Sequence, residues 1–367
     1  MTYGLSINGR FLSQRPTGVQ RYAREIVVWL DRLLHESPLP GGLRAKLILP
    51  AGAAPDFPLE SIAIENTKIS GSPLWTQLIL PFKSQGVLLS LGNVGPVVRS
   101  KQIVCIHDVN TFLVPESYSF AFRAYYSVSL RLLARRSASV TTVSHYSARM
   151  LSEYGLRRLE DIAVIPNGHE HVKRWNPERS QFSRLGEPRR PFIFVLGSRA
   201  VHKNVEMLFS IARELDAAGI DLWVAGAPGL YFSRIDTSPP PPNVRMLGFI
   251  SDDDLAALYR QALCFAFPSL TEGFGLPALE AMALGCPVVA SNAASLPEVC
   301  GDAALFADPR SPRDWLCLFM RLRAEPDLAR SLREKGMRQA LRFSWKESAQ
   351  AYLSLIIALL HGKHPHG

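Results

Sequence analysis

The chain has 367 residues, 47% hydrophobic and 20% charged, which fits globular domains and excludes a disordered or fibrous protein. Its net charge is +9, unevenly shared: residues 1–168 hold 18 Lys and Arg against 11 Asp and Glu, the remainder 23 against 21. No apolar stretch is long enough to span a bilayer, no secretion signal opens the chain, and the cysteines (Cys105, Cys264, Cys286, Cys300, Cys317) are too scattered for a disulfide frame or zinc site, so a cytoplasmic protein is expected.

Short apolar runs alternate with longer helical stretches throughout. The predicted strands are Tyr3–Asn8, Lys46–Leu49, Gly86–Ser90, Ile103–Ile106, Ser139–Val143 and Ile162–Ile165, then Phe192–Leu196, Leu222–Ala225, Val244–Leu247, Leu263–Phe267 and Pro287–Ala290. Strands alternating with helices imply parallel sheets covered on both faces. A polar segment, 169–190, separates the two series, giving two doubly wound domains, 1–168 and 191–342, with a terminal segment 343–367. Ligands of such domains bind beyond the carboxyl ends of the strands, where the motifs below fall. The run Pro239–Pro242 reads as an extended surface loop.

Thr17-Gly18-Val-Gln20 opens the first long helix, and Thr17 and Gln20 have capping-box spacing. Gly18, lacking a side chain, lets a backbone amide approach a phosphate. Ile106-His107-Asp108 follows a strand; the histidine reads equally well as one hydrogen-bonded within its own loop, with Asp108 orienting the ring. A helix over 118–137 carries Arg123, Arg131, Arg135 and Arg136 among aromatics and leucines. Such a helix either faces the core with solvated arginines or lies on an anionic membrane. Pro166 and Gly168 are turn formers suited to a hinge.

Gly197-Ser-Arg199-Ala-Val-His-Lys203-Asn204 follows the strand Phe192–Leu196. Asn204 is a good N-cap for a helix running to Ala218, with Gly219 as its stop. Lys203 then sits at the positive helix end, where a cation needs an anion beside it, and a diphosphate is the anion expected. A lysine swinging into water is the plain alternative. Farther on, the aspartates from Asp252 cap their helix.

The densest signal is Pro268-Ser-Leu-Thr-Glu272-Gly-Phe-Gly-Leu-Pro-Ala-Leu-Glu280-Ala-Met-Ala-Leu-Gly285. An apolar strand ends at Pro268, a glycine-rich loop follows, and Pro277 and Gly285 start and stop a helix. Bare amides at a helix's positive end make an anion site. Carboxylates do not bind phosphate, so Glu272 and Glu280 must serve another part of the same ligand, and vicinal hydroxyls are the obvious candidates. A ligand rich in phosphates and hydroxyls is a nucleotide sugar. The plain reading keeps Glu280 in the first helical turn for the macrodipole and leaves Glu272 solvated.

This stretch resembles the Glu-x7-Glu signature of family-4 retaining glycosyltransferases with the two-domain GT-B fold. The resemblance implies two facing Rossmann-like domains, the first on the acceptor side, and a terminal helix, here from Ser344, that crosses back to the first domain. It implies that Glu280 holds the ribose hydroxyls and Glu272 the donor hexose, with the amides of Phe274, Gly275 and Leu276 on sugar and phosphate. Lys203 would stabilise the departing diphosphate; Arg199 stands one place later than the family's basic residue. Gly18 would approach phosphate, His107 beside Asp108 would meet the transferred sugar, and the backbone of Gly248, Phe249 and Ile250 would meet the base. Family members need no cofactor, metal or protein nucleophile. The wording of this motif and of Ser291-Asn-Ala-Ala-Ser-Leu-Pro-Glu298-Val looks most like mannosyltransferases of surface-polysaccharide and lipopolysaccharide synthesis.

The expected partners are a nucleotide sugar, with GDP-mannose as the donor, and a glycan or lipid-linked oligosaccharide acceptor. Peripheral contact with an anionic membrane at the inner face of the cytoplasmic membrane fits the basic first half, although a basic protein without such a partner explains the charge equally well. Nucleic acid is not expected, because the arginines are dispersed and no nucleic-acid module is recognisable. Two alternatives stay open: a nucleotide-sugar epimerase of the same fold, and a non-catalytic subunit that binds nucleotide, sugar or lipid.

Overall fold

A computed structural model describes residues 2–115, 120–183, 188–197, 200–226 and 241–362. Residues 1–168 and 344–367 form one unit and 169–343 another. The first unit is built on a sheet of seven parallel strands: β1 Tyr3–Asn8, β2 Arg44–Leu49, β3 Ile62–Asn66, β4 Val87–Ser90, β5 Gln102–Cys105, β6 Ser139–Thr142 and β7 Ile162–Val164, in the order β3-β2-β1-β4-β5-β6-β7. The second has six parallel strands: β8 Phe192–Leu196, β9 Asp221–Ala225, β10 Val244–Gly248, β11 Cys264–Phe267, β12 Val288–Ser291 and β13 Ala304–Ala307, in the order β10-β9-β8-β11-β12-β13. Strand addition reverses between β1 and β4 and again between β8 and β11. Those switch points are where a doubly wound sheet opens a crevice at its carboxyl edge.

The central strands read as unbroken apolar runs because both of their faces are covered. Val87, Leu88 and Leu89 of β4, and Cys264, Phe265 and Ala266 of β11, are fully buried. Burial pushes the thiols of Cys286 and Cys300 up to about 12, so they act as small hydrophobes. Two strands escaped the sequence reading, β3 and β13, and both are edges. In β3 only Ile62 is buried, so the apolar run is too short to stand out.

The terminal helix, Trp345–Leu360, belongs to the first unit, as the resemblance implied. Ser344 caps it, and Trp345, Tyr352 and Ile356 are buried on the side that meets the helix Gly18–Glu36. The Tyr352 hydroxyl lies 3.0 Å from that of Tyr22 and 2.8 Å from Thr141 Oγ1, while Ser348 donates to the Pro166 carbonyl at 2.7 Å. Hydrophobic burial and three polar ties thus pin the end of the chain to the first sheet.

Three local expectations need correction. The stretch 169–190, expected as a linker, packs within the second unit: Asp253 accepts from the Asn176 amide at 2.7 Å, and Asp254 from the Ser180 hydroxyl at 2.7 Å and the Gln181 amide at 3.1 Å. Thr17 makes no cap bond, because its hydroxyl turns to the Gln20 side-chain oxygen instead. The helix expected after Asn204 is broken into Val205–Phe209 and Ala212–Ala217, and Asn204 itself stands at φ 54°, a left-handed conformation from which its side chain makes no cap bond. The helix expected over 118–137 is described as Phe120–Arg136, with Leu130, Leu133 and Ala134 in the core beside Val104 and Val140; its first two expected residues lie outside the described ones.

Candidate functional site

The carboxyl ends of β8 and β11, at the second switch point, bring together residues nearly seventy positions apart. After β8 a single 3-10 turn, Val201–Lys203, leads into Asn204. After β11 the chain runs from Pro268 to Gly275 before the helix Leu276–Ala283. The two loops are joined by their backbones, Leu270 donating to the His202 carbonyl at 2.8 Å. Asn204 adds a clamp, its amide donating to the carbonyls of Pro268 at 3.1 Å and Pro309 at 2.7 Å. Its role is therefore to tie loop ends, not to cap a helix.

On this frame Lys203 Nζ meets Glu272 Oε1 at 2.6 Å. Beside Lys203, where a diphosphate or open water was expected, this structure has a carboxylate of the chain itself. The lysine side chain is 25% exposed and the glutamate 12%, so the pair is reachable yet mostly desolvated, where charge-assisted bonds are strong. The ammonium also lies over the Phe267 ring, 5.7 Å from its centroid. Both halves of the expected pairing with a nucleotide sugar, cation and carboxylate, stand at one point.

The loop that follows is shaped by Gly275. Its φ is 104°, a backbone conformation that favours glycine, and a Cβ there would lie 2.6 Å from Leu296 Cδ2, so the leucine tip would have to shift for any other residue. The Ser295 hydroxyl braces the same loop, 2.9 Å from the Glu272 carbonyl and 2.8 Å from that of Phe274. Phe274 is buried edge-on against Phe343 at 5.5 Å, and Leu276 is buried as the first residue of its helix. Their side chains serve packing, which leaves the backbone as the part that a ligand can use.

Glu280 is not in the first turn; it is the fifth residue of Leu276–Ala283, and no acid occupies that first turn. The macrodipole explanation therefore fails. The carboxylate is buried, with Oε1 2.9 Å from Nε2 of His171, itself fully buried and edge-on to Trp175 at 5.3 Å. His171 comes from the segment expected as a linker, and nothing in its sequence context marks it as the partner of a residue 109 positions away.

At the ends of β9 and β10, Gly226 donates to the Gly248 carbonyl at 2.7 Å, and the Gly197 amide to that of Ala225 at 2.7 Å. Gly226 has φ 135°, and a Cβ on it would meet the Gly197 carbonyl at 2.1 Å, so this edge is bare backbone by steric necessity. Phe249 is 75% exposed just beyond Gly248, and Ile250 is half-buried. The next helix, Asp252–Gln261, starts with a full capping box between Ser251 and Asp254, as its acidic first turn predicts. Burial opposes ionisation of Asp254, but hydrogen bonds from Ser180, Ser251 and Gln181 hold its carboxyl below the usual carboxylate range.

The first-unit candidates are placed differently. Gly18 is the first residue of its helix, and a Cβ there would meet nothing. His107 follows β5 and is buried: Nε2 lies 2.8 Å from the Leu91 carbonyl, the ring is edge-on to Tyr22 at 4.9 Å, and the backbone amide donates to Asn93 Oδ1 at 2.6 Å. Burial resists its protonation, yet the Cys105 thiol beside it, the Leu91 carbonyl and Asp108 raise its pKa above the ordinary value. Asp108 accepts from the Asn110 amide at 3.0 Å, anchoring the short turn that follows. Arg199 lies outside the described residues.

The family model described as "Glycosyl transferases group 1" matches residues 178–339. The O-antigen chain mannosyltransferase B of Escherichia coli is 47% identical over 104 residues, 28% of this chain and 27% of that protein. The serotype-specific mannosyltransferase WbdA of Escherichia coli is 27% identical over 392 aligned positions, 96% of this chain and 44% of that protein. The matched stretches thus cover less than half the length of either relative. Among solved structures, sucrose-phosphate synthase from Thermosynechococcus elongatus superposes with a TM-score of 0.74 over 98% of this chain and 100% of the other at 17% identity, a likeness of fold. The two doubly wound sheets and the returning helix are the elements of the GT-B fold.

Proposed function

We propose that this chain, a group 1 glycosyltransferase domain over residues 178–339, transfers a hexose from a nucleotide diphosphate sugar to a hydroxyl of a glycan or lipid-linked glycan, with the anomeric configuration retained. The observation that carries the reading is the Lys203–Glu272 pair beside a glycine-headed helix at the switch point of the second sheet. A diphosphate entering there would draw the ammonium away from the carboxylate. Lys203 would then neutralise the leaving group, and the freed Glu272 would accept hydroxyls of the hexose. The backbone of Phe274, Gly275 and Leu276 would line sugar and phosphate at the positive helix end. Glu280, steadied by His171, would accept the ribose hydroxyls, and the backbone of Gly248, Phe249 and Ile250 would meet the base.

In the step itself the bond from the anomeric carbon to the diphosphate oxygen breaks, and the acceptor oxygen bonds to the same face of that carbon. The acceptor's proton passes to the departing phosphate. The protein supplies position and charge, needing no nucleophile of its own, and Lys203 fills the electrostatic role without a metal. His107, with Asp108, and the amide of Gly18 are assigned to substrate in the first unit, and Arg199 to the diphosphate. Mannose is the sugar assigned, on the names of the relatives, one an O-antigen chain mannosyltransferase and the other a serotype-specific mannosyltransferase, with GDP-mannose as the donor expected from the motif wording.

The test is transfer from GDP-mannose, alongside other nucleotide sugars, to O-antigen acceptors, with EDTA present. Lys203→Ala and Glu272→Ala should each lower kcat by about a hundredfold, the scale of losing one preorganised electrostatic contact. Full activity in both variants would overturn the site, and hydrolysis or isomerisation of the donor without any transfer would overturn the reaction.

A further inference from the structure

The first unit carries an apolar ridge made of residues that have no role in the site described above. Between β3 and β4 the chain winds through a π-type turn, Trp75–Ile79, into the α-helical turn Leu80–Lys83. The inner side of this segment is hydrophobic, Trp75 and Leu80 packing with Ile48 and Leu88. Its outer side is hydrophobic as well: Leu74, Leu78 and Phe82 recur every fourth residue and are 69%, 57% and 88% exposed. A water-facing helix has a polar outer side, so an apolar one marks contact with something other than water. The ridge is widened at both flanks. Gln77 binds the Gly95 carbonyl and the Val97 amide at 2.9 and 3.0 Å, holding exposed Val98 beside it. Trp75 Nε1 donates to Thr67 at 2.8 Å, bringing Lys68 and Ile69 alongside.

Charge indicates what covers the ridge. From residue 66 to 107 the chain carries Lys68, Lys83, Arg99 and Lys101 and no acidic residue at all. Arg99 is bound to the Gly86 carbonyl at 2.8 Å, just past the helical end. The last carboxylate before this stretch, Glu65, is held by buried Lys46 at 2.8 Å and stands 3.6 Å from Lys83. We infer that this ridge docks the protein on an anionic lipid bilayer. Leu74, Leu78, Phe82 and Val98 enter the acyl boundary, and the cations reach the phosphates along their aliphatic stems. Four side chains offer well under the roughly 800 Å² per partner that a stable protein interface needs, whereas a bilayer sets no such minimum. The surface is not the arginine-bearing helix Phe120–Arg136, and the binding is read without any assay of transfer.

The experiment is flotation of the full chain with vesicles of phosphatidylcholine alone or mixed with phosphatidylglycerol, at low and high salt. Wild type should float with the anionic vesicles and lose binding as salt rises. Leu78→Glu/Phe82→Glu should lower the partition coefficient at least about tenfold, since burying one such side chain is worth about a decade or more. Lys68→Glu/Lys101→Glu should also weaken binding to anionic vesicles, and it decides the matter if the apolar double variant fails to fold. The inference is overturned if wild type ignores anionic vesicles, or if neither variant changes its partition. It is equally overturned if light scattering finds a dimer that Leu78→Glu/Phe82→Glu dissolves.

Discussion

The two units share a winding rule and differ in what occupies its crevice end. In the second, the loops beyond β8 and β11 present a lysine and a glutamate paired with each other, beside a glycine-headed helix. In the first, the region around the end of β5 and β6 is a closed set of internal bonds. Tyr22, Tyr352, Thr141 and Cys105 interlock, with the Tyr22 hydroxyl also 2.9 Å from the Ile165 carbonyl. Burial first, and then the neighbouring phenol and thiol, push the Tyr22 hydroxyl well above its usual range, so it stays a neutral link. A matched pair of opposite charges can exchange partners with an ionic ligand, whereas a saturated buried cluster rigidifies. The difference teaches that one topology supports both a partly solvated charged pair and a locked buried cluster, depending on whether the polar groups are left exchangeable.

The comparison breaks most sharply at Trp345, which is fully buried against Tyr22 at 5.6 Å. Trp345→Ala should destabilise the protein by about 3–5 kcal/mol, as large core truncations do. Denaturant unfolding measures it; if the first cluster is an anchor, Kd for nucleotide, read under folding conditions, stays unchanged. A change within about 0.5 kcal/mol would deny the anchoring role.

Next in size is Gly275→Ala. Left-handed backbone costs an L-residue about 1–2 kcal/mol, and the clash with Leu296 adds to it. Because the strain sits in the loop assigned to sugar and phosphate, nucleotide affinity should fall along with stability. Loss of stability alone, measured by thermal melts with and without nucleotide, would separate packing from binding there.

The smallest effect concerns pH. The depressed carboxyl of Asp254 contributes stability that is present above the unfolded aspartate pKa of about 3.9 and disappears as pH falls through the lower folded value. Asp254→Asn should therefore be destabilised at neutral pH and show a shallower acid limb, by urea unfolding across pH 2–7. A limb parallel to wild type would remove Asp254 from the docking of 169–190.

Much of this was legible because it is local. Runs such as Phe192–Leu196 and Cys264–Phe267 are apolar on both faces only if both faces are covered, so they disclosed parallel sheets. Pro277 and Gly285 bound their helix as expected, within a residue or two, since φ preferences are intrinsic to those residues. Edge strands β3 and β13 were hidden because half-exposed strands lose the apolar signature.

The sequence by itself determined where strands stop, where glycine is compulsory and which charged residues follow strand ends, because each of these depends on the backbone preferences and hydrophobicity of a few neighbouring residues. Only the tertiary structure decided that Lys203 faces Glu272, that His171 seizes Glu280, and that Asn204 clamps two loops. Those pairings join positions from 64 to 109 residues apart, and a hydrogen bond a few ångströms long is specified only once the sheet has brought the loops together.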